Sequence, residues 1–128
     1  MKILLNSFDV KKEFKNEHNL GFVPTMGGLH NGHKYLVKRS KKQCKKTIVS
    51  IFINPTQFND QNDLKNYPKP IDKDLNILRK LKVDFVFLPK ASDIYKSKRK
   101  KKIILNKKDL ILCAKYRKGH FEGVLDVM

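Results

Sequence analysis

Tryptophan is absent from this chain of 128 residues, cysteine occurs only twice, and 12 acidic residues stand against 29 basic ones. The two cysteines, Cys44 and Cys113, lie far apart, which argues against a disulfide-rich secreted scaffold. No apolar run approaches the roughly 20 residues that a membrane-spanning helix needs, and no signal-peptide pattern is recognisable. These shortages predict a soluble, cytoplasmic protein with a single core.

The shortage of acidic residues leaves a formal net charge of +17, a balance that often indicates a polyanion partner. However, 25 of the 29 basic residues are lysine and only four are arginine. Specific nucleic-acid recognition favours the planar fork of arginine, so the composition argues against it. The basic run KSKRKKK at residues 96–102 is expected to be a solvated loop or hairpin.

The segment GFVPTMGGLHNGH, residues 21–33, places two histidines three residues apart after an apolar, strand-like run. Gly27, Gly28 and Gly32 have no Cβ, so the chain there can adopt positive φ and bring backbone N–H groups close to an anion. A helix that opens near Asn31 adds unpaired N–H donors and the positive end of its dipole. The segment therefore predicts a phosphate site at a strand-to-helix turn.

The two histidines of this segment, His30 and His33, lie three positions apart and share one helix face. Imidazole N–H groups suit the charge that develops on phosphoryl oxygens, so phosphate chemistry is the favoured interpretation. Two alternatives stay open: the pair binds a metal ion, or it only caps the helix. A metal needs further ligands, and the other histidines and the cysteines show no ligand spacing.

Strand-like and helical patterns alternate along the chain. Strands are predicted at residues 2–5, 21–24, 48–53 and 83–88. One helix is predicted to start after an N-cap at Ser7, and two more are predicted at residues 32–46 and 72–82. This alternation predicts an α/β fold, a Rossmann-like open parallel sheet with right-handed connections. Ligands of such sheets bind beyond the carboxyl ends of the strands, so the histidine turn and the loop at 54–58 can face one cleft.

Apolar spacing assigns a core-facing side to each long helix. In the helix at 32–46 this side comprises Leu36, Val37, Ser40 and Cys44. In the helix at 72–82 it comprises Leu75, Leu78 and Leu81.

Six blocks occur in one order: PTMGGLHNGH at 24–33, VSIFINPTQF at 49–58, YPKPIDKDL at 67–75, VDFVFLP at 83–89, IY at 94–95 and RKGHFEGV at 117–124. Their order and spacing resemble the pantoate–β-alanine ligase (pantothenate synthetase) family over the whole chain. A lone HxGH motif is a weak signal, but a series of this length is specific. The resemblance implies a sheet of the HxGH nucleotidyl transferase type.

In that family, ATP converts the carboxylate of pantoate into a pantoyl-adenylate, and the amine of β-alanine then displaces AMP to form pantothenate. The resemblance thus implies an enzyme of coenzyme A precursor biosynthesis that uses ATP and Mg²⁺. It places His33 at the catalytic position and His30 beside the phosphates. The residues that it assigns to ATP binding are Met26, Gly27, Gly28, Leu29, His30, Asn31, Gly32 and His33.

The resemblance also implies substrate contacts, at Pro24, Met26, Asn54 and Gln57. Gln57 matches the glutamine that orients pantoate and β-alanine, and an amide suits this task because it both donates and accepts hydrogen bonds. The alternative for Gln57 is an exposed loop residue. Asn54 precedes a proline, so we expect it to fix the turn locally, with direct ligand binding as the alternative.

Three further residues, Asp74, Arg117 and His120, match family positions near Mg²⁺ and the phosphates. The alternative for Asp74 is an acidic residue that complements a helix N-terminus. Arg117 and His120 lie on a loop that borders the family's active site, where a basic group can screen triphosphate charge. The alternative for residues 119–121 is a packed turn. No metal site built from a protein cluster alone is expected.

The sequence also departs from the family pattern. Ala114 and Lys118 stand where the family often carries glycine and proline, and the family's later KDxQQ and SSRN segments have no counterpart up to Met128. Residues 123–128 are expected to begin a helix with an apolar side. We therefore expect residues 1–128 to be an incomplete nucleotide-binding domain without the family's C-terminal domain.

Three functions remain as alternatives. The favoured one is an ATP-dependent pantoate–β-alanine ligase. The others are another HxGH nucleotidyl transferase, which leaves the NPTQF loop unexplained, and a remnant that binds nucleotide or a polyanion without turnover. Pantoate-dependent release of pyrophosphate separates the three. The resemblance further implies a homodimer, and the lack of a long apolar run argues against a membrane partner.

Overall fold

The computed structural model describes residues 1–58, 60–95, 106, 108, 116, 117 and 119–127. The predictions for Cys113, Ala114, Lys118 and residues 96–102 lie outside these residues. The chain divides into two compact units, one of Met1–Ile53 and Pro68–Asp93, the other of Asn54–Tyr67 and Ile94–Met128. The assignment of residues 1–128 to one incomplete nucleotide-binding domain stays a prediction.

The first unit contains a four-stranded, fully parallel sheet. Its strands are β1 (Lys2–Leu4), β2 (Leu20–Thr25), β3 (Lys46–Ile51) and β4 (Phe85–Phe87). They lie in the order β1-β4-β3-β2, with each neighbouring pair parallel. The predicted open parallel α/β sheet is therefore confirmed, and every predicted strand is present with its ends displaced by no more than two residues.

Six α-helices and one short 3₁₀ turn are present among the described residues. The helices are α1 (Ser7–Glu13), α2 (Asn31–Gln43), α3 (Gln61–Asn66), α4 (Ile71–Lys80), α5 (Ala91–Ile94) and α6 (His120–Val127), and the 3₁₀ turn is Pro55–Gln57. In the part of the chain that the structure describes, none of these helices has the length and apolar character that crossing a membrane requires.

The predicted helices are present, with ends that differ from the predictions by one to three residues. Helix α1 begins one residue earlier than expected, because Asn6 is extended and its Oδ1 accepts from the N–H of Asp9 at 2.9 Å. Asn6, not Ser7, is thus the N-cap. Helix α2 ends at Gln43 because Cys44 already has an extended conformation.

The core of the first unit lies on both faces of the sheet. Successive strand residues point to opposite faces, so Ile48 and Val49 of β3 enter different clusters. The larger cluster contains Val23, Leu29, Val37, Val49, Ile51, Leu78, Val83 and Val86. The smaller contains Leu4, Ile48 and Phe85. These packed faces hold the carboxyl ends of β2 and β3 side by side, with Thr25 opposite Ile51.

The predicted core-facing sides of the helices are partly correct. On α4, Leu78 is fully buried and Leu75 packs against the larger cluster, as predicted, and Leu81 packs there from the position just after the helix. On α2, Val37 is buried, but Leu36 is 50% exposed, so its assignment to the core was wrong. The helix is oriented by Val37 and by Ser40, whose Oγ lies 2.8 Å from Oγ1 of Thr47. Neighbouring residues differ by about 100° around a helix, so with Val37 turned into the core Leu36 lies towards the exposed side.

Candidate functional site

The turn between β2 and α2 has the conformation that its glycines allow. Gly27 and Gly28 have φ of +84° and +65°, as predicted. Gly32 differs, because it is the second residue of α2 and does not have positive φ. A Cβ there would lie 3.0 Å from Cε1 of His30. Gly32 is therefore suited to this position because it makes room for a histidine ring.

The backbone donors of this turn are bound within the protein. The N–H of Gly27 donates to Oγ1 of Thr25 at 3.2 Å, and the N–H groups of Gly28 and Leu29 donate to the two carboxylate oxygens of Asp74, each at 2.8 Å. Two of these N–H groups thus already meet an anion, the carboxylate of α4. Contact between these residues and ATP stays a prediction.

The two histidines cap the start of α2 reciprocally. His30 is the N-cap, and its Nδ1 accepts from the N–H of Gly32 at 3.1 Å. The N–H of His30 in turn donates to Nδ1 of His33 at 3.3 Å. The two ring centroids lie 4.0 Å apart. Because each Nδ1 accepts a hydrogen bond, each neutral ring carries its proton on Nε2. Helix capping therefore occurs, and it leaves two Nε2–H donors for other partners.

The surroundings of His33 favour its neutral form. Burial lowers the pKa of His33, and the nearby ring of His30 lowers it further, whereas the carboxylate of Asp74 acts in the opposite direction. A protonated Nδ1 would also lose its ability to accept from the N–H of His30. His33 is therefore a neutral donor through Nε2 at physiological pH.

The lowered pKa of His33 predicts that acid weakens the fold. As pH falls, the unfolded chain protonates His33 at about pH 6.5, before the folded protein does. The contribution of His33 to the free energy of unfolding is therefore fully present above that pH and falls as pH drops towards the folded pKa. Urea unfolding measured from about pH 7.5 to about pH 5 checks this slope. His33→Asn is the control, since its amide oxygen lies near the position of Nδ1 but does not titrate. Equal slopes in the two proteins would contradict the prediction.

In the second unit, Asn54 organises the turn that carries Gln57. Asn54 is 1% exposed, and its Oδ1 accepts from the N–H and the hydroxyl of Thr56 and from the hydroxyl of Tyr95, at 3.1, 2.8 and 2.8 Å. Its Nδ2 donates to the carbonyl of Gly123 at 2.9 Å. The expected local role of Asn54 is thus confirmed, and its direct binding of substrate stays a prediction.

Gln57 lies at the end of the 3₁₀ turn and is held by the start of α6. Gln57 is only 7% exposed, so the alternative of an exposed loop glutamine was wrong. Nδ1 of His120 lies 2.9 Å from the backbone carbonyl of Gln57, which fixes Nδ1–H as the donor. The packed-turn alternative for residues 119–121 therefore describes what His120 does. Arg117 is half-buried, and its contact with phosphate stays a prediction.

The helix α6 approaches the same turn at Gly123. A Cβ on Gly123 would lie 2.4 Å from the carbonyl oxygen of Thr56 and 2.9 Å from the nitrogen of Gln57. Only glycine permits this contact between two backbones. The second unit thus brings Asn54, Gln57 and His120 together, whereas the first unit brings His30, His33 and Asp74 together.

A comparison with known protein families identifies the chain. A family model described as pantoate-beta-alanine ligase matches residues 4–128. The chain belongs to the pantoate-beta-alanine ligase family. The resemblance that the six sequence blocks indicated is therefore confirmed.

Curated relatives in this family are pantothenate synthetases. The chain is 51% identical over 115 residues to that of Leptospira biflexa serovar Patoc, covering 89% of this chain and 41% of the relative. It is 43% identical over 132 residues to that of Helicobacter acinonychis, covering 100% of this chain and 48% of the relative. The chain thus spans about half the length of the curated relatives that it matches.

Solved structures of pantothenate synthetases share the fold. That of Thermus thermophilus gives a TM-score of 0.90 at 30% identity, over 99% of this chain and 46% of that one. The pantoate-beta-alanine ligase of Francisella tularensis, complexed with beta-gamma ATP and beta-alanine, gives a TM-score of 0.90 at 42% identity. The match covers 99% of this chain and 50% of that one. The predicted fold of the HxGH nucleotidyl transferase type is therefore confirmed.

The family resemblance implied Mg²⁺, and the described residues do not fit a protein-held ion. Among them there is no group of three or more His, Cys, Asp or Glu side chains that could bind a metal. Both oxygens of Asp74, the one acidic residue predicted for this role, accept backbone N–H groups instead. No step is therefore assigned to a metal held by these side chains.

Three residues that were not singled out from the sequence shape the β2–α2 turn and the 3₁₀ turn of this family member. Thr25 accepts from Gly27 and donates to the carbonyl of Ser50, Tyr95 binds Asn54, and Gly123 admits the backbone of Thr56. A glycine inside a helical segment costs helix stability, so Gly123 carried a signal of close packing. Thr25 and Tyr95 gave no comparable local signal.

Proposed function

We propose that this chain carries the adenylate-forming chemistry of a pantoate–β-alanine ligase, with ATP bound at the turn between β2 and α2. The single observation that supports this most strongly is the reciprocal capping of His30 and His33. Each Nδ1 is engaged by a backbone N–H, so two Nε2–H donors are presented by rings 4.0 Å apart. Paired donors held in advance suit a transferring phosphoryl group.

In the proposed first step, an oxygen of the pantoate carboxylate bonds to the α-phosphorus of ATP. The bond from that phosphorus to the bridging oxygen breaks, and pyrophosphate leaves with the electron pair. His33 and His30 donate from Nε2 to phosphoryl oxygens, where negative charge increases in the transition state. The lowered pKa of His33 is compatible with this role, because the neutral ring carries its one proton on Nε2, where it donates.

In the proposed second step, the amine nitrogen of β-alanine bonds to the carbonyl carbon of the adenylate. The bond from carbon to the AMP oxygen breaks, AMP leaves with its electron pair, and the amine gives up a proton to water. Gln57 is the proposed contact to pantoate and β-alanine, and its turn is held by Asn54 and His120. The ligase of Francisella tularensis, complexed with beta-gamma ATP and beta-alanine, supports ATP and β-alanine as ligands.

Further parts of the proposal rest on family resemblance alone. They are phosphate contact by Arg117, substrate contact by Pro24 and Met26, Mg²⁺ accompanying ATP, a homodimer and a cytoplasmic location. The described side chains give no protein ligand set for Mg²⁺, so we propose it only as a companion of the triphosphate.

Release of pyrophosphate from ATP tests the proposed function. With Mg²⁺ present, we expect release by this chain to require pantoate and to yield pantoyl-adenylate. Omission of pantoate and replacement by other carboxylic acids are the controls. Release that depends on a different acceptor would identify another HxGH transferase. ATP binding without release would leave only a nucleotide-binding protein, and either result would overturn the proposal.

A further inference from the structure

Asp74 is a buried acidic residue of α4 whose carboxylate accepts hydrogen bonds from the turn between β2 and α2. It lies in the first turn of α4 and is 1% exposed. Its backbone N–H donates to the carbonyl of Pro70, and no side chain caps the start of α4. The carboxylate instead accepts from Gly28 and Leu29, which precede it by 46 and 45 residues.

We propose that Asp74 is a positioning residue of the adenylate-forming site, which holds the β2–α2 turn and thereby the two histidine rings, and that it is not a Mg²⁺ ligand. This inference rests on the proposed function for its catalytic consequence. Its structural content can be tested without turnover.

The carboxylate fixes the turn at two successive peptide groups. Oδ2 accepts from Gly28 and Oδ1 from Leu29, each at 2.8 Å, so both the position and the orientation of this segment are set. Gly27 allows the approach, since a Cβ there would lie 3.1 Å from Oδ2 of Asp74 and 3.2 Å from Cγ2 of Ile51. The side chain of Leu29, 8% exposed, anchors the same segment in the core.

The fixed segment leads directly to the catalytic histidines. The residue after Leu29 is His30, whose N–H donates to Nδ1 of His33. A path of one covalent link and two hydrogen bonds thus joins the carboxylate of Asp74 to the ring of His33. The charge of Asp74 also raises the pKa of His33 against the lowering by burial, which places the two groups in one electrostatic environment.

The same geometry argues against metal binding by Asp74. Mg²⁺ requires oxygen ligands in near-octahedral geometry and usually keeps several waters. Each oxygen of Asp74 already accepts an N–H, and the residue is almost fully buried. In the described part of the chain, Asp74 belongs to no group of three or more His, Cys, Asp or Glu side chains that could bind a metal.

Asp74→Asn tests the positioning role, with Asp72→Asn as its matched control. Both substitutions remove one carboxylate from the first turn of α4, but Asp72 is exposed. In Asp74→Asn, one acceptor becomes a donor that faces a backbone N–H. We expect amide exchange at Gly28 or Leu29 to become about tenfold faster or more, and the NMR titration midpoint of His33 to shift down. Asp72→Asn is expected to change neither. Unchanged amides and an unchanged His33 titration in Asp74→Asn would overturn the proposal.

Two measurements on the unsubstituted chain apply even if Asp74→Asn does not fold. The amides of Gly28 and Leu29 should be protected from exchange, and addition of Mg²⁺ alone should leave the carboxyl carbon resonance of Asp74 in place. Unprotected amides, or a Mg²⁺-dependent shift of that resonance, would overturn the inference. Neither measurement depends on activity, so they separate this proposal from the proposed function.

Kinetics supply the catalytic part of the test. We expect Asp74→Asn to lower kcat for pantoate-dependent pyrophosphate release by about a hundredfold, the effect of misplacing a reacting group by about 1 Å. The dependence of this variant's rate on Mg²⁺ concentration should match that of the unsubstituted chain. Recovery of the rate at high Mg²⁺ would instead identify a metal ligand and overturn the proposal.

Discussion

Replacing His33 by alanine is expected to lower pantoate-dependent pyrophosphate release by about 10²–10³-fold, the usual effect of removing one donor to a developing charge. Alanine removes the Nε2–H that we propose donates to a phosphoryl oxygen. It also removes the Nδ1 that accepts from the N–H of His30 at 3.3 Å. The initial rate at saturating ATP and pantoate measures the first loss, and urea unfolding measures the second.

His33→Asn separates the two losses. The amide oxygen of asparagine is as many bonds from Cβ as Nδ1 is, so it can accept from His30, but nothing replaces Nε2. We expect this variant to recover most of the stability that alanine loses, typically about 1 kcal/mol for a helix cap, without recovering the rate. A rate equal to that of the unsubstituted chain would exclude Nε2 of His33 as the donor.

The sheet and the histidine turn were predictable because their signals are local. Runs of β-branched residues such as residues 48–53 indicate buried strands, and glycines at 27 and 28 indicate positive φ directly after one of them. Leu36 was misassigned because it adjoins Val37, and an apolar pattern alone does not decide which of two neighbours faces the sheet. The packing of Ser40 on Thr47 decides it.

The inner contacts of the candidate site were not predictable from local pattern. Asp74 meets Gly28 and Leu29 across more than forty residues, and Asn54 meets Gly123 across 69. Reciprocal capping by two histidines is also outside the usual preferences, which favour Ser, Thr, Asp or Asn at the N-cap and Glu or Gln at N3. The family motif located these residues, but only the structure gave the hydrogen bonds that each one makes.

Gly123→Ala is expected to destabilise the second unit by about 2–5 kcal/mol, from overpacking and from the loss of a buried hydrogen bond. In an open helix the same change would add about 1 kcal/mol of stability, because alanine is the better helix former. Here the new Cβ would lie 2.4 Å from the carbonyl oxygen of Thr56, and a backbone atom cannot move away by rotation of a side chain. Helix α6 must therefore shift, which breaks the 2.9 Å bond from Asn54 to Gly123.

The shift of α6 also predicts a kinetic effect, since His120 of the same helix donates to the carbonyl of Gln57. If Gln57 binds pantoate as proposed, Gly123→Ala should raise KM for pantoate more than KM for ATP. Leu125→Ala is the matched control in α6, because Leu125 is 47% exposed and its loss should cost under about 1 kcal/mol. Urea unfolding followed by NMR signals of Gln57 and His120 measures stability in this unit. A Gly123→Ala protein as stable as the unsubstituted chain would contradict the steric argument, and an unchanged KM for pantoate in a destabilised variant would contradict the role of Gln57.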